Sequence, residues 1–277
     1  MEENTKKNMR SNVVQTILVV ALIAAAFYIG NLSAKVQLLQ KGGAAPAAAQ
    51  PAAGTTAPAV TLSTIKGLFS KDLIKFGDAN RKVLFVEVAD PSCPFCHIAA
   101  GKDPEINAGS PQFKMVSQGG TYVPPVPEIK KLVDAGKASF VYIYSPGHGN
   151  GEMGVRALYC GNEKGKFWDV HDLIMSAKGY EIQNGTDPAG TATTGPIVKN
   201  DKTKSQDMAN FLAPAIDPAF MKSCLDSGKY DARLGTDTQL ASSLGVSGTP
   251  GYFVNTTNFA GAYSFTDMQS AVDAASK

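Results

Sequence analysis

The longest apolar stretch of the chain lies close to its N-terminus. Residues 13–30 (VVQTILVVALIAAAFYIG) contain no charged side chain. As an α-helix this stretch would extend about 27 Å, close to the roughly 30 Å hydrocarbon core of a bilayer. Basic residues are more frequent before it than after it, which favours a cytoplasmic N-terminus. The pattern predicts a cytoplasmic tail at 1–12 and a single transmembrane signal anchor at 13–30.

A cleaved signal peptide is the alternative interpretation of this stretch. Cleavage after Ala34 would place Leu32 where processing requires a small residue, so we favour an uncleaved anchor. In either case the rest of the chain is exported, to a periplasmic or extracellular location. Residues 31–60, rich in Ala and Pro, cannot build a core and predict a flexible linker between the membrane and the following domain.

Short apolar runs after residue 61 predict the strands of a sheet. The run 83–89 (VLFVEVA) is almost continuously apolar, which is typical of a strand covered on both faces. A second strand is predicted at 139–144 (SFVYIY). Residues 252–254 and 259–263 flank a turn at NTTN and predict a β-hairpin.

Helical periodicity separates and follows these runs. Apolar residues recur at helical spacing in 167–175 (FWDVHDLIM), in 217–228 and in 265–276. Strands separated by helices, followed by a hairpin and a closing helix, predict an α/β domain at 61–277 with a helical insertion at about 147–245. This domain carries 21 Lys and Arg against 22 Asp and Glu, so it offers no basic surface for nucleic acid.

The four cysteines include one closely spaced pair, in the motif Cys93-Pro94-Phe95-Cys96. The motif follows the strand 83–89 after a short turn, which places Cys93 at the start of a helix. Free backbone N–H groups at a helix N-terminus stabilise a thiolate, and the thiolate is the attacking species in disulfide exchange. A zinc site usually brings a second close pair of ligands, which the chain lacks. We therefore favour redox chemistry, with zinc and a purely structural disulfide as alternatives.

Glu87 is the only charged residue in the strand 83–89. A buried carboxylate without a partner is costly, so it should be neutral, paired or hydrated. Glu87 lies six residues before Cys93, so if the strand is buried it is a candidate catalytic acid or base. The alternative is an exposed position on an edge strand.

Three segments together give a specific resemblance. The run VEVADPSCPFCH resembles the active-site segment of DsbA-type members of the thioredoxin superfamily. The run SGTPGYFVN is similar to their cis-proline loop, and EKGKFWDVHDLIM to a helix of their insertion. The resemblance spans 61–277 and implies a thioredoxin-like fold, although residues 103–135 fit it poorly.

The resemblance also implies roles for individual residues. Cys93 would be the exposed nucleophile and Cys96 the buried resolving thiol. Glu87 would be the buried acid that relays the proton of Cys96. Thr249 and Pro250 would form the cis-proline loop that binds the backbone of a substrate peptide.

The implied activity is dithiol–disulfide exchange with cysteine-containing exported polypeptides, without a metal or organic cofactor. The aromatic after Pro94 favours, by resemblance only, an oxidase over an isomerase or reductase. The implied redox partner is a membrane reoxidase of the DsbB or vitamin K epoxide reductase type. A rival from another class is a non-catalytic thioredoxin-like binding module, although such a module has no need of a reactive pair.

The remaining cysteines, Cys160 and Cys224, both fall in the predicted insertion. Exported proteins seldom leave two such thiols free, so we expect them to form a structural disulfide. Two unpaired buried thiols are the alternative.

Two further patterns are weaker. Gly149–Gly154 matches a dinucleotide-binding glycine pattern, but the acid twenty residues on, Asp169, falls in a predicted helix and not at a strand end. We therefore read these glycines as a flexible turn. His97 either favours a nearby thiolate or points away, and His171 is expected to be a packed core or edge residue.

Overall fold

The computed structural model describes residues 60–277. The predicted tail at 1–12 and anchor at 13–30 lie outside these residues, as does the predicted linker apart from Val60. None of the helices within the described part of the chain combines the length and the apolar character needed to cross a bilayer.

Five strands form one mixed sheet in the order β1-β3-β2-β4-β5. Strands β2 and β3 are parallel, and the other neighbours are antiparallel. The strands are β1 (Ile74–Phe76), β2 (Val83–Ala89), β3 (Ala138–Tyr144), β4 (Gly251–Val254) and β5 (Thr257–Ala260). The predicted strands at 83–89, 139–144 and 252–254 are thus confirmed.

Helices cover both faces of this sheet. In chain order they are α1 (Leu62–Leu68), α2 (Pro94–Ala100), α3 (Pro104–Ala108), α4 (Pro125–Asp134), α5 (Glu152–Glu163), α6 (Phe167–Ile174), α7 (Ala177–Asn184), α8 (Ser205–Phe211), α9 (Pro218–Asp226), α10 (Asp231–Ser243) and α11 (Phe265–Ser276). The run α5–α10 confirms the predicted helical insertion between β3 and β4.

The alternation of side chains along β2 explains why every residue of this strand is buried. Leu84, Val86 and Val88 pack on one face, in a core shared with α1 and α10. Phe85 and Ala89 point to the opposite face, into a core that contains both cysteines of the CPFC motif. Because side chains alternate along a strand, Glu87 shares the face of the cysteines.

The hairpin differs from the prediction at its second strand. Strand β5 spans Thr257–Ala260, whereas the sequence pattern predicts 259–263. The turn is shorter than expected because Asn255 adopts a left-handed backbone, with φ of 51°. The Asn255 side chain also accepts a hydrogen bond from Leu84 N and donates one to Lys82 O, so the turn is tied to the start of β2.

Residues 103–124 belong to the segment 103–135 that resembles DsbA-type proteins poorly, and they contribute to a separate apolar cluster. They include α3, two 3-10 turns and an isolated bridge between Met115 and Tyr122. Ile98 of α2 packs in the same apolar cluster. Through this cluster, Phe113 is brought into edge-to-face contact with Phe95 of the CPFC motif, with 6.0 Å between ring centroids.

Candidate active site

The CPFC motif begins α2 directly after the loop that follows β2. Cys93 is the residue before the first helical position, and Pro94 occupies that position, where its missing N–H costs nothing. The Cys93 N–H donates to Asp90 O at 3.0 Å, and the Cys96 N–H donates to Cys93 O at 3.0 Å. Both cysteines are free thiols, held one helical turn apart.

The Cys93 thiol is strongly acidic. Its pKa is lowered from an ordinary value of 9.0 to about 6, chiefly by a hydrogen bond from the Cys96 thiol and further by Thr249, the Cys96 backbone N–H and the charge of His148. Burial acts in the opposite direction. The helix N-terminus therefore contributes as predicted, but the neighbouring thiol contributes more.

Cys93 is buried, so the prediction of an exposed nucleophile is wrong. The loop before β4 covers the Cys93 sulfur. Cys93 Sγ donates to Thr249 O in this loop at 3.3 Å. Phe95 is the exposed member of the motif. A substrate sulfur that attacks Cys93 Sγ must therefore displace Thr249 O or approach the Cys93 sulfur beside it.

Thr249 and Pro250 are joined by a cis peptide bond. The same loop places Thr249 O against the Cys93 sulfur and leads directly into β4. The arrangement places the predicted substrate-binding residues beside the predicted nucleophile. Two pockets share Gly261 in their lining: one also contacts Thr249 and Pro250, and the other contacts Phe113 and Tyr122.

The pKa of the Cys96 thiol is shifted in the opposite direction to that of Cys93. Its pKa is raised well above the ordinary value, first by burial and then by the neighbouring Cys93 and Glu87. The Asp90 N–H donates to Cys96 Sγ at 3.5 Å, a contact that favours the thiolate but does not offset burial. The pair therefore consists of one thiolate-prone and one thiol-prone sulfur.

Glu87 lies in the middle of the sheet, so the alternative of an exposed edge strand is wrong. Its neighbours across the sheet are Tyr142 on β3 and Tyr252 on β4. Tyr252 Oη donates to Glu87 Oε1 at 2.8 Å. Burial raises the pKa of Glu87, although the charge of His171 and the Tyr252 hydrogen bond oppose the rise. The Glu87 carboxyl thus lies on the sheet face that carries the cysteines, and its charge raises the pKa of Cys96.

His97 does not act as an imidazolium beside the thiolate. Burial lowers its pKa to about 4, so the ring is neutral at pH 7. Its Nε2 lies 2.8 Å from Pro91 O, which it reaches as a donor. The ring therefore supports the loop backbone.

Asp90 is a positioning residue that sequence reasoning missed. Its fully buried carboxylate accepts hydrogen bonds from Ser92 N and Oγ, each at 2.8 Å. It also accepts from Gly147 N at 2.6 Å and His148 N at 2.8 Å. One carboxylate thus ties the loop before Cys93 to the start of the helical insertion. Its place just after a strand was consistent with an ordinary turn residue.

The insertion also contacts the active-site loop through α7. Gln183 Nε2 donates to Pro91 O at 3.0 Å, and Asn184 Nδ2 donates to Ser92 O at 3.1 Å. No local sequence signal marks these two amides, because their partners are 92 residues away in the chain.

Gly151 and Gly154 permit this close approach. A Cβ on Gly151 would lie 1.9 Å from Asp90 Oδ1, and one on Gly154 would lie 2.3 Å from Gln183 Oε1. The glycine run is therefore a packing surface, whereas the sequence pattern predicted a flexible turn. Asp169 lies in α6 (Phe167–Ile174), as expected, and not at a strand end.

Cys160 and Cys224 are joined by a disulfide with an S–S distance of 2.00 Å. It links α5 to α9 within the insertion. Glu163 lies close enough to form a three-ligand cluster with the two sulfurs, but both sulfurs are already bonded to each other.

The fold and the site define a member of the thioredoxin superfamily. The thioredoxin family profile matches residues 126–274, more than half of the chain, so the chain belongs to the thioredoxin family. The matched region contains Thr249 and Pro250, while the CPFC motif precedes it.

Solved structures with the same fold include DsbA proteins. BdbD from Bacillus subtilis (oxidised) has a TM-score of 0.52 at 18% identity, covering 74% of this chain and 92% of that one. The thiol-disulfide exchange protein α-DsbA2 from Wolbachia pipientis has a TM-score of 0.50 at 17% identity, covering 77% and 92%. Chlamydia trachomatis DsbA has a TM-score of 0.51 at 15% identity, covering 74% and 91%. The chain has a DsbA-like thioredoxin fold.

A curated relative is the Na(+)/H(+) antiporter NhaA 3 of Salinispora tropica, which is 24% identical over 200 residues. The alignment covers 71% of this chain but 24% of that protein, so the chain spans about a quarter of the relative's length.

Proposed function

We propose that this protein is a thiol–disulfide oxidoreductase that acts on cysteines of exported polypeptides, with Cys93 and Cys96 as its reactive pair. The observation that carries the proposal is the asymmetry of the two thiols. The pKa of Cys93 is lowered to about 6 while that of Cys96 is raised, and the Thr249–Pro250 loop lies against Cys93. A docking surface alone would have no use for this asymmetry.

The exchange proceeds in two displacements. In the oxidised enzyme, a substrate thiolate attacks Cys93 Sγ, the Cys93–Cys96 bond breaks, and Cys96 leaves as a thiolate that takes up a proton. A second substrate thiolate then attacks the substrate sulfur of the mixed disulfide. Cys93 leaves as a stable thiolate, the substrate gains a disulfide, and the enzyme is left as a dithiol.

We infer that the favoured direction is oxidation of the substrate. A thiolate that is stabilised in the reduced enzyme makes the disulfide a better oxidant. Lowering the pKa of one thiol from 9.0 to about 6 favours the reduced form about tenfold at pH 7, which corresponds to about 30 mV. This term favours an oxidase over a reductase or isomerase, although it is modest beside the differences among such enzymes.

The test uses the purified chain and two assays. Oxidised protein should introduce disulfides into a reduced, unfolded substrate faster than reduced protein cleaves insulin disulfides. Equilibration with glutathione should give a potential more oxidising than that of thioredoxin. Equal or greater insulin reduction would support the reductase or isomerase alternative. No thiol exchange in either assay would support the non-catalytic binding module.

We further propose that the domain acts outside the cytoplasm, tethered by residues 13–30. The apolar stretch and the linker at 31–60 support this placement, as does the disulfide between Cys160 and Cys224. Turnover as an oxidase requires a membrane reoxidase of the DsbB or vitamin K epoxide reductase type. Protease added to spheroplasts should remove the domain and leave a short membrane-bound fragment. A mature N-terminus after residue 30 would rule out the anchor.

Glu87→Gln tests the predicted role of the buried acid. Gln keeps an acceptor for Tyr252 Oη but cannot exchange a proton with Cys96. We expect the step in which Cys96 gains or loses its proton to slow by about 100-fold, the lower end of typical acid–base contributions. Rapid-mixing rates from pH 5 to pH 9 would measure this step, and unchanged rates would show that Glu87 is only structural.

The same variant has an expected effect on stability. Burial raises the folded-state pKa of Glu87 above 4.5, so the stability associated with its protonated form is present below that pH and is lost as the pH rises. Glu87→Gln should therefore be more stable than the parent at pH 7. The difference in the free energy of unfolding should shrink towards pH 4.

A further inference from the structure

His171 lies on α6 above the sheet face that carries Glu87. The ring is fully buried and packs on Phe167, with 5.6 Å between centroids. Phe167 in turn packs on Tyr142, the cross-strand neighbour of Glu87, at 5.6 Å. The charge of His171 influences Glu87 more than the Tyr252 hydrogen bond does. Helix α6 of the insertion thus places an imidazole near the buried acid.

Three residues of this chain of contacts, from three different elements, each have a buried side-chain atom without a hydrogen-bond partner among the described residues. The atoms are Glu87 Oε2, Tyr142 Oη and His171 Nε2. Buried polar atoms are seldom left unsatisfied, and a buried water is the ordinary bridge between such groups. Bridged in this way, these three atoms would provide a hydrogen-bonded route for a proton between Glu87 and His171.

The other ring nitrogen of His171 leads to the surface. His171 Nδ1 lies 3.3 Å from Asp172 Oδ1, and Asp172 Oδ2 lies 2.5 Å from Lys102 Nζ. Burial tends to raise the pKa of Asp172, but the hydrogen bonds from His171 and Lys102 outweigh it and lower the pKa. The charged carboxylate therefore accepts from Nδ1–H, which leaves the lone pair of Nε2 directed into the protein.

We propose that His171 passes protons between Glu87 and the surface at Asp172 when Cys96 changes its protonation state. The proposal rests on the function proposed above and adds a proton path to the same site. When Cys96 attacks a mixed disulfide on Cys93, Nε2 of His171 takes the proton of Glu87, and the Glu87 carboxylate accepts the proton of Cys96. The Nδ1 proton leaves through Asp172 to solvent. The new bond joins the two cysteine sulfurs, and the departing thiolate takes a proton from solvent.

The other titratable groups near this path do not compete with it. They are Tyr142 on β3, Tyr252 on β4, His97 on α2 and Asp90 in the loop before α2, whereas Asp172 on α6, paired with Lys102, is the exit of the path. Burial raises the pKa of both tyrosines well above the ordinary value, and His97 is neutral above about pH 4. The two tyrosines and His97 therefore keep one protonation state while Cys96 reacts.

The experiment compares His171→Asn with the parent, alone and combined with Glu87→Gln. Asn can still donate to Asp172 but has no group at the Nε2 position and does not titrate. The full chain carries a chromogenic thiol as a mixed disulfide on Cys93, and release by Cys96 is followed by stopped flow from pH 5 to pH 9. We expect release to slow about tenfold in the parent background and not to slow further in the Glu87→Gln background.

His148→Asn is the matched control. It makes the same chemical change at a histidine that influences Cys93 and not Glu87. Its effect on release should be the same with Glu or Gln at position 87. His171→Gln serves as a second variant in case His171→Asn does not fold. A slowing by His171→Asn that is equally large in both backgrounds would overturn the proposal.

A spectroscopic readout separates this proposal from the proposed function. The protonated carboxyl of Glu87 has an infrared band that is identified by its loss in Glu87→Gln. We expect the titration of this band to move to higher pH in His171→Asn, because the variant lacks the imidazole whose interaction with Glu87 lowers the Glu87 pKa. An unchanged titration would overturn the pairing of His171 with Glu87. If no variant catalyses exchange but the band still shifts, the proposed function fails while the pairing stands.

Discussion

Alkylation of the reduced protein at pH 6 is expected to modify Cys93 at least about 500 times faster than Cys96. At that pH, about half of Cys93 is thiolate, because its pKa is lowered to about 6. The pKa of Cys96 is raised above 9.0, so no more than about one Cys96 in a thousand is ionised. Peptide mapping after timed exposure to iodoacetamide measures the ratio. Comparable labelling of both cysteines would contradict the assignment of roles.

Two substitutions of the neighbouring Cys96 provide the control for this prediction. The hydrogen bond from Cys96 is the largest cause of the low Cys93 pKa. Cys96→Ala removes this donor and should raise the pKa of Cys93 towards its ordinary value, while Cys96→Ser keeps a hydroxyl donor and should raise it less. Since Thr249 O covers the buried sulfur, the absolute rate will also report on opening of that loop. The pH dependence of the alkylation rate reports the Cys93 pKa, whereas its absolute size also reports loop opening. Comparing the pH dependence of the parent and the two variants therefore separates the two effects.

Removal of the Cys160–Cys224 disulfide should cause the largest loss of stability. The bond joins residues separated by 64 positions. Closing a loop of this length stabilises a fold by about 4 kcal/mol in the chain-entropy model. The double variant Cys160→Ala/Cys224→Ala should therefore unfold at a lower denaturant concentration by a corresponding amount. An unfolding free energy within about 1 kcal/mol of the parent would contradict this expectation.

Mild reduction provides the second measurement. A disulfide between Cys93 and Cys96 closes a very small ring and constrains the unfolded chain little, so it should open first under low dithiothreitol. The Cys160–Cys224 bond should persist until the domain unfolds. Mass mapping of alkylated peptides at increasing reductant distinguishes the two bonds, and simultaneous opening would show that the second bond is not a structural one.

Local patterns predicted the parts of the fold that depend on local physics. The apolar run at β2 required cover on both faces, and the apolar periodicity at α6 and α11 required helices packed on a sheet. The shorter elements carried too little signal. Strand β1 has three residues, and the start of β5 depends on a left-handed backbone at Asn255.

The candidate site likewise combines features that local sequence predicts with features that depend on distant contacts. The CPFC spacing and the lone acid in an apolar strand are local features, so the sequence by itself predicted the reactive pair and the acid and determined the strand that leads to them. The burial of Cys93 comes from the distant Thr249 loop, and the support of the active-site loop comes from Asp90, Gln183 and Asn184. Only the tertiary structure decided these contacts, because their partners lie up to 156 positions apart and no local pattern records which surfaces meet when the insertion folds over the sheet.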